Sequence, residues 1–235
     1  MKNLIKKILK PLTPLIFAGS LLLAAPQPSV AESSDFNISA GAGAFRGSDE
    51  NISEIYGIFP TVRLGLGYSP KGLNGMIDGR FEGGVDFSYA WKDGTPKTMH
   101  DSDSEIDASS NLSMLTIRPG IKYYFGEKGE VSPYIGLFVP WVLAVEKASA
   151  VTYYDGKKID QLDVEATASG IGIEGAIGVD IPATENLSVF IECGYRSLDV
   201  KINTVKIDSK VYKIKEENAT NMGGVSLNAG LKYNF

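Results

Sequence analysis

The sequence predicts an all-β protein, an eight-stranded antiparallel up-and-down barrel that crosses a membrane with its strands. Three observations carry that prediction. Apolar residues alternate with polar residues or glycine at period two, and the pattern recurs eight times along the chain. One face of these strands is apolar and ends in aromatic residues, while the other carries glycine and charge. The connections between strands alternate short and long, the rhythm of turns at one end of a barrel and loops at the other.

Composition narrows the alternatives. The chain has 235 residues, 26 of them Gly, with 22% charged residues, one Cys and one His. Beyond residue 31 no stretch offers the ~18 consecutive apolar residues of a spanning helix. A lone Cys193 leaves no disulfide framework and no Cys-based metal centre. A single His removes any centre that needs two imidazoles. The formal charge of −5 argues against nucleic acid as a partner.

The first segment reads as an address. Lys2, Lys6, Lys7 and Lys10 form a basic stretch without acids, followed by an apolar run from Leu12 to Ala25. Ser29 and Ala31 place small residues before a cut at Ala31-Glu32, as in a secretory signal peptide. The domain division is therefore residues 1–31 as signal peptide and 32–235 as barrel. Loss of the leader leaves 19 basic against 28 acidic residues, a net charge of −9.

The strands follow in order. The first alternates Phe36, Ile38, Ala40, Ala42 and Ala44 with small or polar positions. The second sets Val62, Leu64, Leu66 and Tyr68 against Thr61, Arg63, Gly65 and Gly67. The third runs from Ile77 to Trp91, with Asp78, Arg80, Glu82 and Asp86 on its polar face. The fourth sets Leu115 through Phe125 against Thr116, Arg118, Gly120, Lys122 and Tyr124. The fifth, residues 133–145, is apolar on both faces, with Phe138, Pro140 and Val142 inward. The sixth sets Ile171, Ile173, Ile177 and Val179 against Gly172, Glu174, Gly178 and Asp180. The seventh sets Leu187 through Tyr195 against Ser188, Phe190, Glu192, Gly194 and Arg196. The eighth, residues 225–235, alternates without a break from Val225 to Phe235, with Lys232 on its polar face. Strict alternation over that length excludes an amphipathic helix. A water-soluble sandwich also alternates, but it would bury the bulky face and expose the charged one. Hydrocarbon leaves no open sheet edge viable, so the sheet must close.

Two long connections read as hairpins rising above the membrane. Asp155-Gly156 suits a two-residue turn, and Asp208-Ser209 has a similar layout. A third long connection carries the acidic run from His100 to Asp107. It lacks the separate rigid elements of a catalytic triad and the Gly and distal Glu of a calcium loop. It reads as a solvated loop.

The inward charges form the candidate site. Arg63, Arg80, Arg118, Lys122, Arg196 and Lys232 face Asp78, Glu82, Asp86, Glu174, Asp180 and Glu192. Unpaired charges in a narrow lumen are costly, so these are expected to form a salt-bridged network. Eight strands leave a lumen that side chains just fill, so a wide channel is not expected. Lys201, Lys206, Lys210, Lys213 and Lys215 mark a basic surface hairpin suited to phosphates or polyanions. Cys193 is expected to face lipid as an inert thiol. No catalytic residues, cofactor or metal ligands are expected.

In these features the chain resembles the small outer-membrane barrels of Gram-negative bacteria, the OmpA/OmpX type. The resemblance rests on the leader, the eight strands and the ending Gly-Leu-Lys-Tyr-Asn-Phe. It implies a location in the cell outer membrane with both termini periplasmic, and Tyr233 and Phe235 as the signal read during assembly. It implies the assembly machinery, periplasmic chaperones, outer-membrane lipid and lipopolysaccharide as partners. The expected function is non-enzymatic and structural or adhesin-like, a monomer presenting loops to a host or surface ligand. The alternative is a narrow passive pore for small or hydrophobic solutes, OmpW-like. N-terminal sequencing of the exported protein therefore begins at Glu32, and a chain still starting at Met1 would mean that residues 1–31 are not a cleaved leader.

Overall fold

The computed structural model describes residues 36–70, 79–101, 104–126, 129–208, 210–213 and 219–235. Ala31, Glu32, Asp78 and Lys215 lie outside them, as do residues 102–103 of the acidic run.

The described chain is one antiparallel sheet of twelve strands. They are β1 (Phe36–Gly47), β2 (Ile58–Tyr68), β3 (Arg80–Asp93), β4 (Lys97–Asp101), β5 (Ser104–Tyr124), β6 (Ser132–Phe138), β7 (Trp141–Tyr154), β8 (Lys157–Pro182), β9 (Leu187–Ile207), β10 (Lys210–Lys213), β11 (Ala219–Asn221) and β12 (Gly224–Asn234). A six-residue helix, α1 (Glu50–Ile55), lies between β1 and β2.

Eight barrel staves emerge from the pairings. β5 pairs with β6 over Gly120–Tyr124 and with β7 over Ser104–Ile117, so β6 and β7 form one interrupted stave. The interruption at Val139-Pro140 has a physical cause, since Pro140 has no N–H to give to the ladder. Val139 donates to the Pro119 carbonyl at 2.9 Å and Gly172 donates to the Pro140 carbonyl at 3.0 Å, so the seam stays paired. The ring runs β1, β2, β3, β5, β6–β7, β8, β9, β12 and returns to β1. Asn37 opposite Asn234 through Gly47 opposite Gly224 closes it. The fifth sequence strand is thus two segments of one stave, and the others continue further toward the long loops than alternation indicated.

The alternation sorts the faces. Leu64, Leu66, Phe87, Ile121, Ile135, Ile171, Ile177 and Leu227 are exposed on the outer face. Cys193 is exposed among them. Aromatics gather where the chain ends and the short turns lie: Phe36 packs on Tyr68, Phe81 on Tyr123, Tyr123 on Phe125 and Tyr233 on Phe235. Tyr89 stacks on Trp91 toward the opposite end. Apolar residues outward with aromatic rings at both ends are what a bilayer requires of a barrel.

At the end opposite the termini the staves outrun the barrel. β7 and β8 form a hairpin whose turn places Asp155 and Gly156 at φ 51° and 69°, the left-handed pair of a tight two-residue turn. β9 and β10 turn at Asp208, also at positive φ. The acidic run is a correction to the sequence reading. It is no open loop but a hairpin, with Lys97 opposite Ala108 and His100 opposite Glu105.

A lipid-facing band predicts depth-dependent costs. Leu64→Arg, near the middle of β2, costs about 2–4 kcal/mol, while Ile58→Arg at the strand end costs about 0–1 kcal/mol. Urea unfolding of the bilayer-embedded protein measures both, and equal costs would show that the register is shifted.

Candidate functional site

The lumen has two layers. The layer nearer the termini is ionic. Arg118 sits at its centre, donating to Asp86 at 2.8 Å, to Glu192 at 2.7 Å and to Glu174. Arg63 donates to Glu192 at 2.5 Å and to Asp86 at 2.6 Å. The Tyr134 hydroxyl donates to the second oxygen of Glu192 at 2.9 Å. Lys232 donates to Glu82 at 2.7 Å, to Asp180 at 2.8 Å and to the Tyr124 hydroxyl at 2.9 Å. Asn37 gives Glu82 a further bond at 3.0 Å, and Lys122 stands 3.8 Å from it.

Register explains the contacts. Asp86 lies opposite Arg118, and Glu82 opposite Lys122, on neighbouring staves. The other partners reach across the lumen: Arg63 and Glu192 come from β2 and β9, Lys232 and Asp180 from β12 and β8. Glu192 is fully buried, and Arg63, Arg118 and Lys232 are nearly so.

Two of the inward cations take a different partner. Arg196 lies 3.8 Å over the Phe45 ring and Arg80 lies 4.5 Å over Tyr124, and among the described residues neither makes an ion pair. Both stand on the inward face, and the rings beneath them come from other staves. Aromatic rings also support the hub, with Arg118 4.0 Å over Phe138. Gly120 and Gly136 make room for it, since a Cβ at either would lie within 2.6 Å of the Phe138 ring. Asn37, Tyr124 and Tyr134 complete the network; all three sit on inward positions of alternating strands, a signal that charge alone does not carry.

The second layer, toward the long hairpins, is apolar. Phe45, Phe59, Leu112, Met114, Val142, Ala144, Leu198 and Val200 form one buried cluster, and Ile52 and Ile55 of α1 pack on it with Met222. The helix is tied down at both ends. Asp49 accepts from the Ile52 N–H at 3.2 Å as an N-cap, Ser48 donates to the Gly223 carbonyl at 2.8 Å, and Thr95 donates to the Ile55 carbonyl at 2.9 Å. Tyr56, just after it, donates its hydroxyl to Glu146 at 2.5 Å. Burial and the neighbouring Glu146 carboxylate both push the Tyr56 phenol up, so its proton stays in that bond. None of this inner cap was evident in the sequence, where the first long connection shows only a short polar-apolar mixture.

The basic hairpin is present in part. Lys201 and Lys206 lie on β9, Lys210 and Lys213 on β10, all exposed. Among the described residues no group of three or more His, Cys, Asp or Glu side chains is placed to hold a metal ion.

A closed barrel with a lipid-ready outer face and a side-chain-filled lumen defines a small integral protein of the outer membrane. Comparison with known families agrees. The family model for the outer membrane protein beta-barrel domain matches residues 15–235, and the chain belongs to that family. Among solved structures, Neisserial surface protein A is 20% identical, with a TM-score of 0.48, covering 87% of this chain and 100% of its own. OprG from Pseudomonas aeruginosa is 14% identical, with a TM-score of 0.49, covering 87% and 97%. Ail of Yersinia pestis is 16% identical, with a TM-score of 0.35, covering 86% and 100%. No curated protein matches the chain.

The ionic layer makes a specific prediction. Glu82→Ala removes the carboxylate that Lys122 and Lys232 share, leaving Lys122 without an ion-pair partner among the described residues and Lys232 with Asp180 alone, and costs about 3–5 kcal/mol, as removal of one buried partner does. The double change Glu82→Leu with Lys232→Met costs less than the two single changes together. A thermodynamic cycle in lipid measures the coupling, and strictly additive costs would mean that the two groups do not share a dry contact.

Proposed function

We propose that this is a non-enzymatic surface-interaction protein of the outer membrane, with its termini periplasmic and its long hairpins outside the cell. The observation that carries the reading is the sheet beyond the barrel, where β4, β5, β7, β8, β9 and β10 pair in that order. Within the described residues β4 and β10 pair on one side only, so this sheet presents two edges. Sheet edges accept an extended segment of a partner by strand addition. The exposed Lys210 and Lys213 favour a polyanionic partner at the β10 edge and discourage self-association there. The packed lumen supports this reading over a pore for solutes. A structural role for the ionic layer belongs to the same proposal: it holds the staves so that the outer sheet is displayed rigidly.

The test is charge reversal. In nanodiscs, the wild-type barrel binds dextran sulfate, more weakly as salt rises. Lys206→Glu, Lys210→Glu and Lys213→Glu together abolish that binding without unfolding the barrel. Unchanged, salt-sensitive binding moves the site to another loop, and regular conductance steps in a planar bilayer would favour the pore.

On the same reading, Tyr233 and Phe235 are the point read by the assembly machinery. Deleting Phe235 impairs refolding into lipid only slightly, because interfacial side chains contribute little. In cells it lowers insertion sharply, read by heat-modifiable gel migration of membrane fractions. Normal insertion of the deletion variant removes the signal from the argument.

A further inference from the structure

The apolar layer at the mouth is not filled completely. Between α1 and the staves lies a cavity of about 220 Å³, and Glu146 is the one charged side chain among its described lining residues. The rest of that lining is aliphatic apart from Tyr56 and Thr220. A second cavity of about 270 Å³ adjoins it and shares Ile55 and Glu146. Half of its own wall is Ala, Leu and Val, and the other half is Thr95, three serines and the exposed Lys97. Together they reach the lower part of the range of small-molecule sites, which are mostly apolar with a few placed polar groups.

Glu146 is the feature in need of explanation. It faces inward, between Leu112 and Ala166 on the neighbouring staves. One carboxylate oxygen accepts a hydrogen bond from the Tyr56 hydroxyl, a neutral donor that leaves the charge in place. Lys147, its neighbour in the chain, faces outward and pairs with Glu165 at 3.4 Å. Among the described residues no cation comes within ion-pair distance of Glu146. Glu146 is half-buried, and a carboxylate so placed beside aliphatic walls attracts a counter-charge more strongly than one in open water. Below it the cluster around Leu112, Met114, Val142 and Leu198 and then the ionic layer close the lumen. A molecule entering from the mouth would be held there and not passed on.

We infer that this cavity is a binding site for a small organic cation with an apolar body, its carbon frame filling the aliphatic space and its ammonium group meeting Glu146. Both halves of that chemistry come from the lining. The aliphatic walls exclude strongly hydrated ions, and the lone carboxylate rejects anions and discriminates against neutral isosteres. The site is independent of whether the sheet edges above it bind a partner.

Three isosteric probes test it on the full barrel in zwitterionic nanodiscs: benzylammonium, benzyl alcohol and benzoate, with empty nanodiscs subtracted. Titration calorimetry or ligand-observed NMR reads the binding. Benzylammonium binds saturably, benzyl alcohol at least about tenfold more weakly, equivalent to ~1.4 kcal/mol, and benzoate not measurably. Glu146→Gln keeps an acceptor for Tyr56, and it brings the amine down to the level of the alcohol. Ala168→Leu, which fills the lower cavity, weakens amine and alcohol alike. Heat-modifiable migration establishes that each variant is folded, and Glu146→Gln decides the matter alone if Ala168→Leu is not. Equal affinities of amine and alcohol, an unchanged affinity in Glu146→Gln, or no saturable binding by the wild type each overturn the site.

Discussion

The bilayer interior offers no hydrogen-bond partner to a peptide group, and the rest of this structure depends on that constraint. A sheet in hydrocarbon must leave no edge, so the last strand has to meet the first. The seam from Asn37–Asn234 to Gly47–Gly224 does this. Closure with eight staves leaves a lumen that side chains just fill. Groups on opposite staves are then close enough to bond, as Arg63 does with Glu192 and Lys232 with Asp180. The ionic layer is thus a consequence of closure. Once the barrel is narrow, inward polar residues have each other as partners in place of bulk water, and an unpaired charge among them is expensive.

The same staves serve two solvents, and their faces exchange character where the solvent changes. On β5 the outward residues are apolar from Tyr123 to Leu115 and polar from Ser113 to Glu105. On β7 the outward residues Trp141, Leu143 and Val145 give way to Lys147 and Ser149. The inward face changes in the opposite sense. Arg118 and Thr116 are followed by Met114 and Leu112, and Glu174 on β8 by Ala168 and Ala166 further along. Below the switch the barrel is apolar outside and ionic inside. Above it the protein is built like a water-soluble domain, with a small apolar core capped by α1. That inversion marks the level at which lipid ends, and it creates a region where an apolar lumen is open to the outside.

Membership in the outer-membrane barrel family establishes location and architecture, and a fold of this kind hosts many roles. Function has to be argued from what is particular to this chain. Three features qualify: the sheet beyond the membrane with its two edges, the exposed lysines of β9 and β10, and the carboxylate of Glu146 inside an apolar cavity. Each lies on the far side of the switch. In the membrane-embedded half the inward charged side chains are occupied with one another and with aromatic rings.

The sequence by itself determined the strands, their faces and the membrane location, because these follow from a local rule. Side chains in a strand alternate between faces, so composition at odd and even positions reads out the two environments. Eight such stretches, an aromatic boundary and a terminal alternating strand require nothing beyond neighbours in the chain. Pairing across the lumen was not legible in the same way. That Arg118 serves Asp86, Glu174 and Glu192, while Arg196 rests on Phe45, depends on stagger and ring position that no single strand encodes. The acidic run became a hairpin because β5 continued far enough to pair with it. The cap by α1 and the placement of Glu146 beside Tyr56 join residues ninety positions apart. Their meeting is decided by closure of the barrel, which brings distant staves to face one another across a lumen only side chains wide.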